Sequence, residues 1–448
     1  MLEPIMNKFV AALTLGACGN LLNAADWPQF RGPGGTNTAA SLPSEWGKSK
    51  NIAWTAKIPG SGWASPIAVG NRVFIATAVC DPPYIPKDMQ KGVMDPSSIP
   101  LPGKPKPGPD MQIEWQLVCL DVKTGKEEWT KTVTSGRPKY AIHPSNTFAT
   151  ETPCADSERV YVFFAQAGTV AAYRHHGSLD WSIDVGTYPG NANLGLGASP
   201  TLHQGLLFVP IMNEEKATIL AIDAKTGKEK YKITRDKPGT SWATPFIWTN
   251  QTRTELVICG RGFVGGYDCN EGRELWTFTN VDSSFSSSPT ATSTMLVFGN
   301  GGPGSKSPLV GIKAGAKGDI SLKGKETSND FVAYFKPGSA PGMSSAVVAD
   351  GLVYIPSSGS LACYDAATGD RIYKEPLRGA RMIASSPVLA DGKIYITEET
   401  GKTLVVKTGK EFELLTTNVL EDLIWSSPAV AGDRLLIRGV NALYCISK

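Results

Sequence analysis

The sequence predicts an all-β chain, an eight-bladed β-propeller of four-stranded antiparallel blades, closed by an N-terminal strand that completes the last blade. Three observations predict it. A Ser/Thr-Pro element, followed by a short strand, a turn and a β-branched strand, recurs eight times. A second element, Asp-x-x-Thr-Gly leading to an aromatic residue, alternates with it. The final copy is one strand short, while the N-terminal part of the chain holds a strand with no blade of its own.

The first element is clearest at Ser65-Pro66, Ser199-Pro200, Ser386-Pro387 and Ser427-Pro428. Weaker copies stand at Thr152-Pro153, Thr244-Pro245, Ser288-Pro289 and Ser345-Ala346. The prolines, with Ala346 in place of one, lie at 66, 153, 200, 245, 289, 346, 387 and 428, so the intervals are 87, 47, 45, 44, 57, 41 and 41. A period in the low forties is the length of a four-stranded blade. The two long intervals mark insertions. Residues 76–116 hold a Pro-rich one, and 299–308 form a Gly-rich loop.

The second element is cleanest at Asp121, Gly125 and Trp129. It returns at Asp223 and Gly227, leading to Tyr231; at Asp268 and Gly272, leading to Trp276; and at Asp365 and Gly369, leading to Tyr373. The Asp carboxylate accepts backbone N–H groups across the turn, and Gly supplies the positive φ. The aromatic that follows is large enough to fill the seam between blades. At the C-terminus, Ser427-Pro428 to Ile446 supplies three strands. Residues 51–58, Asn-Ile-Ala-Trp-Thr-Ala-Lys-Ile, read as the missing fourth, which would close the ring and remove two sheet edges. The expected organisation is therefore an export segment over 1–25, an entry segment over 26–50 and the propeller over 51–448.

The first 25 residues have the form of a signal peptide: Lys8, an apolar run from Phe9 to Leu15, and small residues around Ala24 and Ala25. Leu15-Gly16-Ala17-Cys18 also has the form of a lipobox, so cleavage near Ala24 and lipidation at Cys18 are both open. No stretch reaches the length of a membrane-spanning helix. An exported, periplasmic or outer-membrane-associated protein is expected, acting as a monomer. The net charge of +3 argues against nucleic acid or an anionic membrane as partner. The eight cysteines include no Cys-x-x-Cys pair. Cys119, Cys363 and Cys445 fall at matching places in different repeats, so they are expected as separated, buried thiols.

The Asp-x-x-Thr-Gly-x-x-x-Trp unit resembles the tryptophan-docking motif of quinoprotein propellers. The opening Asp26-Trp27-Pro28-Gln29-Phe30-Arg31-Gly32-Pro33 is similar to the entry segment of PQQ-binding-like repeat proteins. The resemblance spans residues 26–448. It implies the fold and leaves function open, because the motif residues serve packing. Within this wider family stand both quinoprotein dehydrogenases and BamB-like envelope propellers that act as non-catalytic scaffolds. The dehydrogenases hold PQQ with Ca²⁺ and many carry a vicinal Cys pair, whereas this chain has neither adjacent cysteines nor a Cys-x-x-Cys-His. The expectation is a non-catalytic scaffold that binds an envelope protein, a polysaccharide or a small polar ligand, with no cofactor. A quinoprotein or a carbohydrate-binding propeller is the alternative.

Candidate ligand-binding residues are sought on the face that carries the long loops. Arg261, between two glycines, could hold a carboxylate or phosphate, or be a surface arginine. Trp63, Trp242 and Trp425 each lie just before a strand-one Pro (or its neighbour) and could stack on a planar ligand or sugar, or pack between blades. His143, Asn146 and Glu151 could bind a metal or a polar substrate, or anchor their loop. No metal site is placed by motif. His175-His176 reads as an exposed turn, and the Gly-rich loop lacks the Lys-Ser/Thr of a phosphate-binding loop.

Overall fold

The computed structural model describes residues 26–33, 37–38, 41–47, 50–88, 105–300 and 307–448. The export segment with Cys18, the middle of the Pro-rich insertion and most of the Gly-rich loop lie outside these. Eight separate sheets surround an axis. Their innermost strands, Ile67–Val69, Cys154–Ala155, Thr201–His203, Phe246–Thr249, Thr290–Ala291, Val347–Ala349, Val388–Ala390 and Ala429–Ala431, define blades 1 to 8. Each blade runs outward through antiparallel hairpins. Short inner strands suit the narrow end of a wedge, and the outer edges are the more exposed.

Blade 8 closes as expected. Ile52–Ala56 pairs antiparallel with Leu443–Ile446, with Trp54 opposite Cys445 and Thr55 opposite Tyr444. The first and last parts of the chain thus share one ladder. Arg438, buried in the same blade, reaches across the final seam and donates to the carbonyls of Ala64 and Ala76 and the hydroxyl of Thr77, at 3.0, 2.7 and 3.1 Å.

The core is distributed around the ring. Among the described residues seven clusters fill the seams, most of them joining two neighbouring blades. The largest spans blades 7, 8 and 1 and takes in Trp27, Leu42 and Trp46 from the N-terminal segment. The second sequence element is the clamp on the outside of each seam. Asp121 accepts the amides of Lys123 and Thr124 and the Thr124 hydroxyl, and Gly125 sits at φ +68°. Trp54 of blade 8 lies over that glycine, where a Cβ would meet the indole at 2.5 Å, and its Nε1 donates to Val122 O at 3.0 Å. The same docking recurs around the ring. Trp129 donates to His175 O, Trp181 to Ala224 O beside Gly227, Tyr231 to Cys269 O beside Gly272, and Tyr334 to Ala366 O beside Gly369. Asp223, Asp268 and Asp365 hold their turns as Asp121 does. Glycine is required twice over here, by the positive φ and by the ring pressed on it. Trp276 departs from the pattern. It is fully buried, and its Nε1 donates to the carboxylate of Glu255 within its own blade.

The Ser/Thr-Pro element forms a second, inner ring. The backbone N–H of Ser65 donates to the Thr152 hydroxyl, Thr152 to Ser199, Ser199 to Thr244, and Thr244 to Ser288. The series continues through Ser345 and Ser386 to Ser427, at 2.8 to 3.2 Å throughout. Each blade is tied to the next through the hydroxyl of its first strand. At the eighth seam the Ser65 hydroxyl has no hydrogen-bond partner among the described residues, and Arg438 makes the connection instead.

Two insertions differ from the sequence reading. Blade 1 strands run Arg72–Asp81 and Gln112–Asp121, so the ladder occupies both ends of the segment assigned to the Pro-rich insertion, and only 82–111 lies between them. In the 57-residue interval much of the extra chain is at 314–331. Its Gly318–Asp319 pairs in parallel with Trp276 and Thr277, adding a fifth strand to blade 4. The seven described cysteines are all buried and free, and no helix among the described residues is long and apolar enough to cross a membrane.

The entry segment runs through the channel. Trp27 bridges Ala68 of blade 1, Pro28 O accepts from Ala155 of blade 2, and Gln29 Oε1 accepts from Leu202 of blade 3. Arg31 donates to Pro289 O of blade 5 and Ala346 O of blade 6, and Asn37–Thr38 pairs in parallel with blade 7.

Two outcomes are expected. Trp54→Ala should lower unfolding free energy by about 3–5 kcal/mol, because it empties the closing seam; urea melts followed by fluorescence measure it. Ser199→Ala should cost about 1–3 kcal/mol by stranding the buried Thr152 amide, whereas Ser65→Ala should cost well under 1 kcal/mol. Equal losses in the two serine variants would contradict the ring as described.

Candidate ligand funnel

Period-two alternation decides which residues face the axis. Counting back from each ring hydroxyl, the residue itself and the one two before it share a face. Those two layers are Ser65, Thr152, Ser199, Thr244, Ser288, Ser345, Ser386 and Ser427, then Trp63, Thr150, Gly197, Trp242, Ser286, Met343, Ala384 and Trp425. All sixteen line one funnel of about 630 Å³ on the long-loop face. Phe30, from the entry segment, forms part of its floor. Loops add His143, Asn146, Asn191, Arg261, Asp282 and Asn300.

The three tryptophans are therefore brought together. Trp63 and Trp425 stack across the closing seam, centroids 5.9 Å apart and planes 22° apart. Each indole N–H is anchored: Trp63 to Ser145 O, Trp242 to Gly195 O, and Trp425 to the Glu399 carboxylate. They pack and line the funnel at once, so the two readings of these residues do not exclude one another.

Arg261 also faces the funnel, but it is not free. Glu214 holds its Nη1 at 3.0 Å, and Glu214 is itself fixed by the amide and hydroxyl of Thr240. Thr240 in turn accepts the amide of Asn191. His143 is buried, and burial lowers its pKa from the usual imidazole value. Its Nδ1 lies 2.7 Å from the Ser145 hydroxyl and accepts the Ser145 amide, which leaves the neutral ring's proton on Nε2. Asn146 uses its amide inside the protein: Nδ2 donates to Leu194 O, and Oδ1 accepts from Thr147 N and the Thr150 hydroxyl. It shapes the loop that carries His143.

Glu151 sits one residue before its ring hydroxyl, and strand alternation turns it away from the funnel into the body of blade 2. The matching residues elsewhere are Ala64, Ala198, Ala243, Ser287, Ser344, Ser385 and Ser426, all small. Where such a serine is bonded, it donates to a carbonyl at the end of its own second strand, as Ser287 does to Gly299 O and Ser385 to Thr397 O. A glutamate here is 2% exposed, and neither carboxylate oxygen has a hydrogen-bond partner among the described residues. Desolvation pushes its pKa up to about 7, with the nearby backbone amides opposing this only in part.

Several lining residues were not visible as candidates in the sequence: Asn191, Asp282, Asn300, and Glu214 behind Arg261. They come from loops of different blades. The ring hydroxyls were visible as a repeat, but their inward orientation was not drawn from it. His176 is exposed, as expected, while His175 packs its ring against Phe74 at 5.2 Å.

The fold and the ringed funnel define a propeller built of PQQ-type repeats. A family model described as outer membrane protein assembly factor BamB matches residues 111–303 and 260–411, together well over half of the chain, and the protein belongs to that family. No curated protein matches it significantly. Among solved structures it is similar to BamB from Moraxella catarrhalis, with 13% identity, 77% of this chain and 96% of that one covered, and a TM-score of 0.52. It is also similar to the quinohemoprotein alcohol dehydrogenase ADHIIG from Pseudomonas putida HK5, with 10% identity, coverage of 95% and 80%, and a TM-score of 0.57. Saccharomyces cerevisiae Sqt1 matches with 10% identity, coverage of 76% and 94%, and a TM-score of 0.51. At these identities the likeness is one of fold, shared by an assembly factor and an oxidoreductase alike.

Glu151 generates a pH prediction. Its folded pKa, about 7, lies above the unfolded value near 4.5. Between these values the folded state holds a proton that the unfolded state has released, so stability falls as pH rises through the window and levels off above it. A shift of this size corresponds to about 3 kcal/mol. Glu151→Gln should remove that fall and leave the variant more stable than the parent at pH 8, as read from denaturant melts at pH 5 and pH 8. A parent whose stability does not fall over this interval relative to the variant would refute it.

Proposed function

We propose that the protein is a non-catalytic propeller of the cell envelope whose long-loop funnel binds a neutral, ring-bearing polar ligand of the carbohydrate class. The observation that carries this reading is the funnel's composition. Eight hydroxyls form an inner layer, each engaged through its oxygen with a neighbouring amide in seven of the eight cases, which leaves the O–H able to donate towards the axis. Three indoles stand in the layer above. Hydroxyls and amides that both donate and accept, combined with flat apolar faces, match a sugar ring, whose edges are hydroxylated and whose faces are C–H-rich.

The charge balance supports a neutral ligand. Among the described lining residues, Arg261 is the one guanidinium, and Glu214 already opposes it; Asp282 is the one carboxylate. PQQ is a tricarboxylate held with Ca²⁺ in the quinoproteins, and this donor set does not fit it. One compensated cation faces three carboxylates, and no group of three His, Cys, Asp or Glu side chains able to hold a metal occurs among the described residues. The family's description as an outer membrane assembly factor supports a place in the envelope and an envelope protein as partner of the loop face. Ile85, 72% exposed in the described part of the Pro-rich insertion, is an apolar contact available on that insertion.

The funnel tryptophans supply the assay. Titration of neutral oligosaccharides should quench intrinsic fluorescence saturably, and Trp242→Ala should weaken binding roughly five- to a hundredfold, about 1–3 kcal/mol for a lost stacking face. A thermal shift on adding PQQ with Ca²⁺, with no response to any neutral saccharide, would reverse the assignment.

A further inference from the structure

A second cleft, of about 350 Å³, lies on the far side of Phe30 from the funnel. It is bounded by the entry segment and the inner strands of blades 3, 4 and 5. The entry segment hydrogen-bonds to blades 1, 2, 3, 5, 6 and 7, and none of its described bonds reaches blade 4. The cleft occupies that gap.

Arg31 lines it. The residue is 4% exposed, and its guanidinium is satisfied only in part: Nη1 and Nη2 donate to Pro289 O and Ala346 O at 2.7 and 2.5 Å, while the buried Nε has no partner. No carboxylate among the described residues pairs with it. Burial alone lowers its pKa, to about 9, with no acidic group opposing the shift. A buried cation without a counter-charge is costly, and proteins normally pair one. The backbone adds an independent sign. Arg31 is held at φ +64°, in the left-handed region, at the third residue of a turn closed by Gly32 N donating to Gln29 O. Glycine or asparagine relieves that conformation at such a position, and an arginine there is strained.

Arg438 is the internal control. It is equally buried, and burial lowers its pKa to the same degree. Its contacts, however, staple a seam through both terminal nitrogens, and it lines neither the funnel nor this cleft. What sets Arg31 apart is that a residue with a buried, unfilled donor also lines open space.

The rest of the cleft has two characters. Thr292 and Ser293 offer hydroxyls, and Phe246 and Trp248 offer an apolar wall. His203 also lines it, and burial holds that ring towards its neutral form, so Arg31 is the charge the cleft presents. We propose that this cleft is a binding site for a small organic carboxylate, with its anionic head on Arg31 and its apolar body against Phe246 and Trp248. The volume is that of a small-ligand site.

The test uses the mature chain and three probes: benzoate, acetate and the uncharged benzamide, followed by calorimetry and saturation-transfer NMR. Benzoate should bind saturably, acetate more weakly, and benzamide at least tenfold more weakly than benzoate. Arg31→Gln should abolish benzoate binding while leaving saccharide quenching of the funnel tryptophans in place. Equal binding of benzamide and benzoate, or undiminished benzoate binding by Arg31→Gln, would overturn the site. Should that variant not fold, crystals of the parent grown with 4-bromobenzoate decide the matter through the bromine's anomalous signal. A peak between Arg31 and Trp248 supports the proposal, and its absence there refutes it.

Discussion

Everything in this molecule depends on the eighth seam. Seven blades follow one another along the chain and can each be tied to a predecessor as they form. The eighth exists only when Ile52–Ala56 meets Leu443–Ile446, residues almost 400 positions apart. Loop-closure entropy for so long a span grows only logarithmically, and burial of Trp54 and its neighbours in the largest of the seam clusters offsets it. The seam also differs chemically from the others. The amide-to-hydroxyl link that joins other blades gives way there to a buried guanidinium donating to two carbonyls and a hydroxyl, and to a stacked pair of indoles.

The two repeated sequence elements divide the labour by radius. The Asp-Gly turns with their docked aromatics clamp the outer part of the seams, and the Ser/Thr hydroxyls clamp the inner part. The same hydroxyls wall the funnel. The candidate ligand site is therefore walled by groups whose first task is to hold neighbouring blades together. This makes the funnel a rigid site, since its inner layer cannot shift without breaking inter-blade hydrogen bonds.

The sequence made the fold legible because its signals are local and repeated. A turn needing Asp and Gly, and an inner strand opening on Ser/Thr-Pro or its variant, announce themselves four and eight times over, and the short C-terminal copy announces closure. The funnel was half legible. Trp63, Trp242 and Trp425 stood out because each lies just before a strand-one Pro; in the structure each sits two residues before its ring hydroxyl, and that parity points it inward. The same parity, one residue shifted, turns Glu151 into the blade, so a residue grouped with the loop candidates belongs behind the wall. Glu214 and Asp282 gave no signal, and Asn300 only as part of the Gly-rich loop, because nothing in a chain position says which loops of separate blades will converge. The partner of Arg261 was likewise out of reach: Glu214 is 47 residues away and one blade over. Most of the extra length in the 57-residue interval was misplaced for a related reason, since a two-residue edge pairing such as Gly318–Asp319 leaves no periodic pattern.

The entry segment carries a consequence for biogenesis. Residues 26–31 form the axle of the wheel, bonded to blades 1, 2, 3, 5 and 6, yet they leave the ribosome before any blade exists. Their binding surface is assembled piecemeal as Ala68, Ala155, Leu202, Pro289 and Ala346 follow, so the docking of the segment is complete only once blade 6 has been made. Threading must wait for the ring, or the ring must form around it. Either way residues 26–31 are not fully bonded until blade 6 is in place. A circular permutant cut between two blades would free them to be made after the ring that receives them.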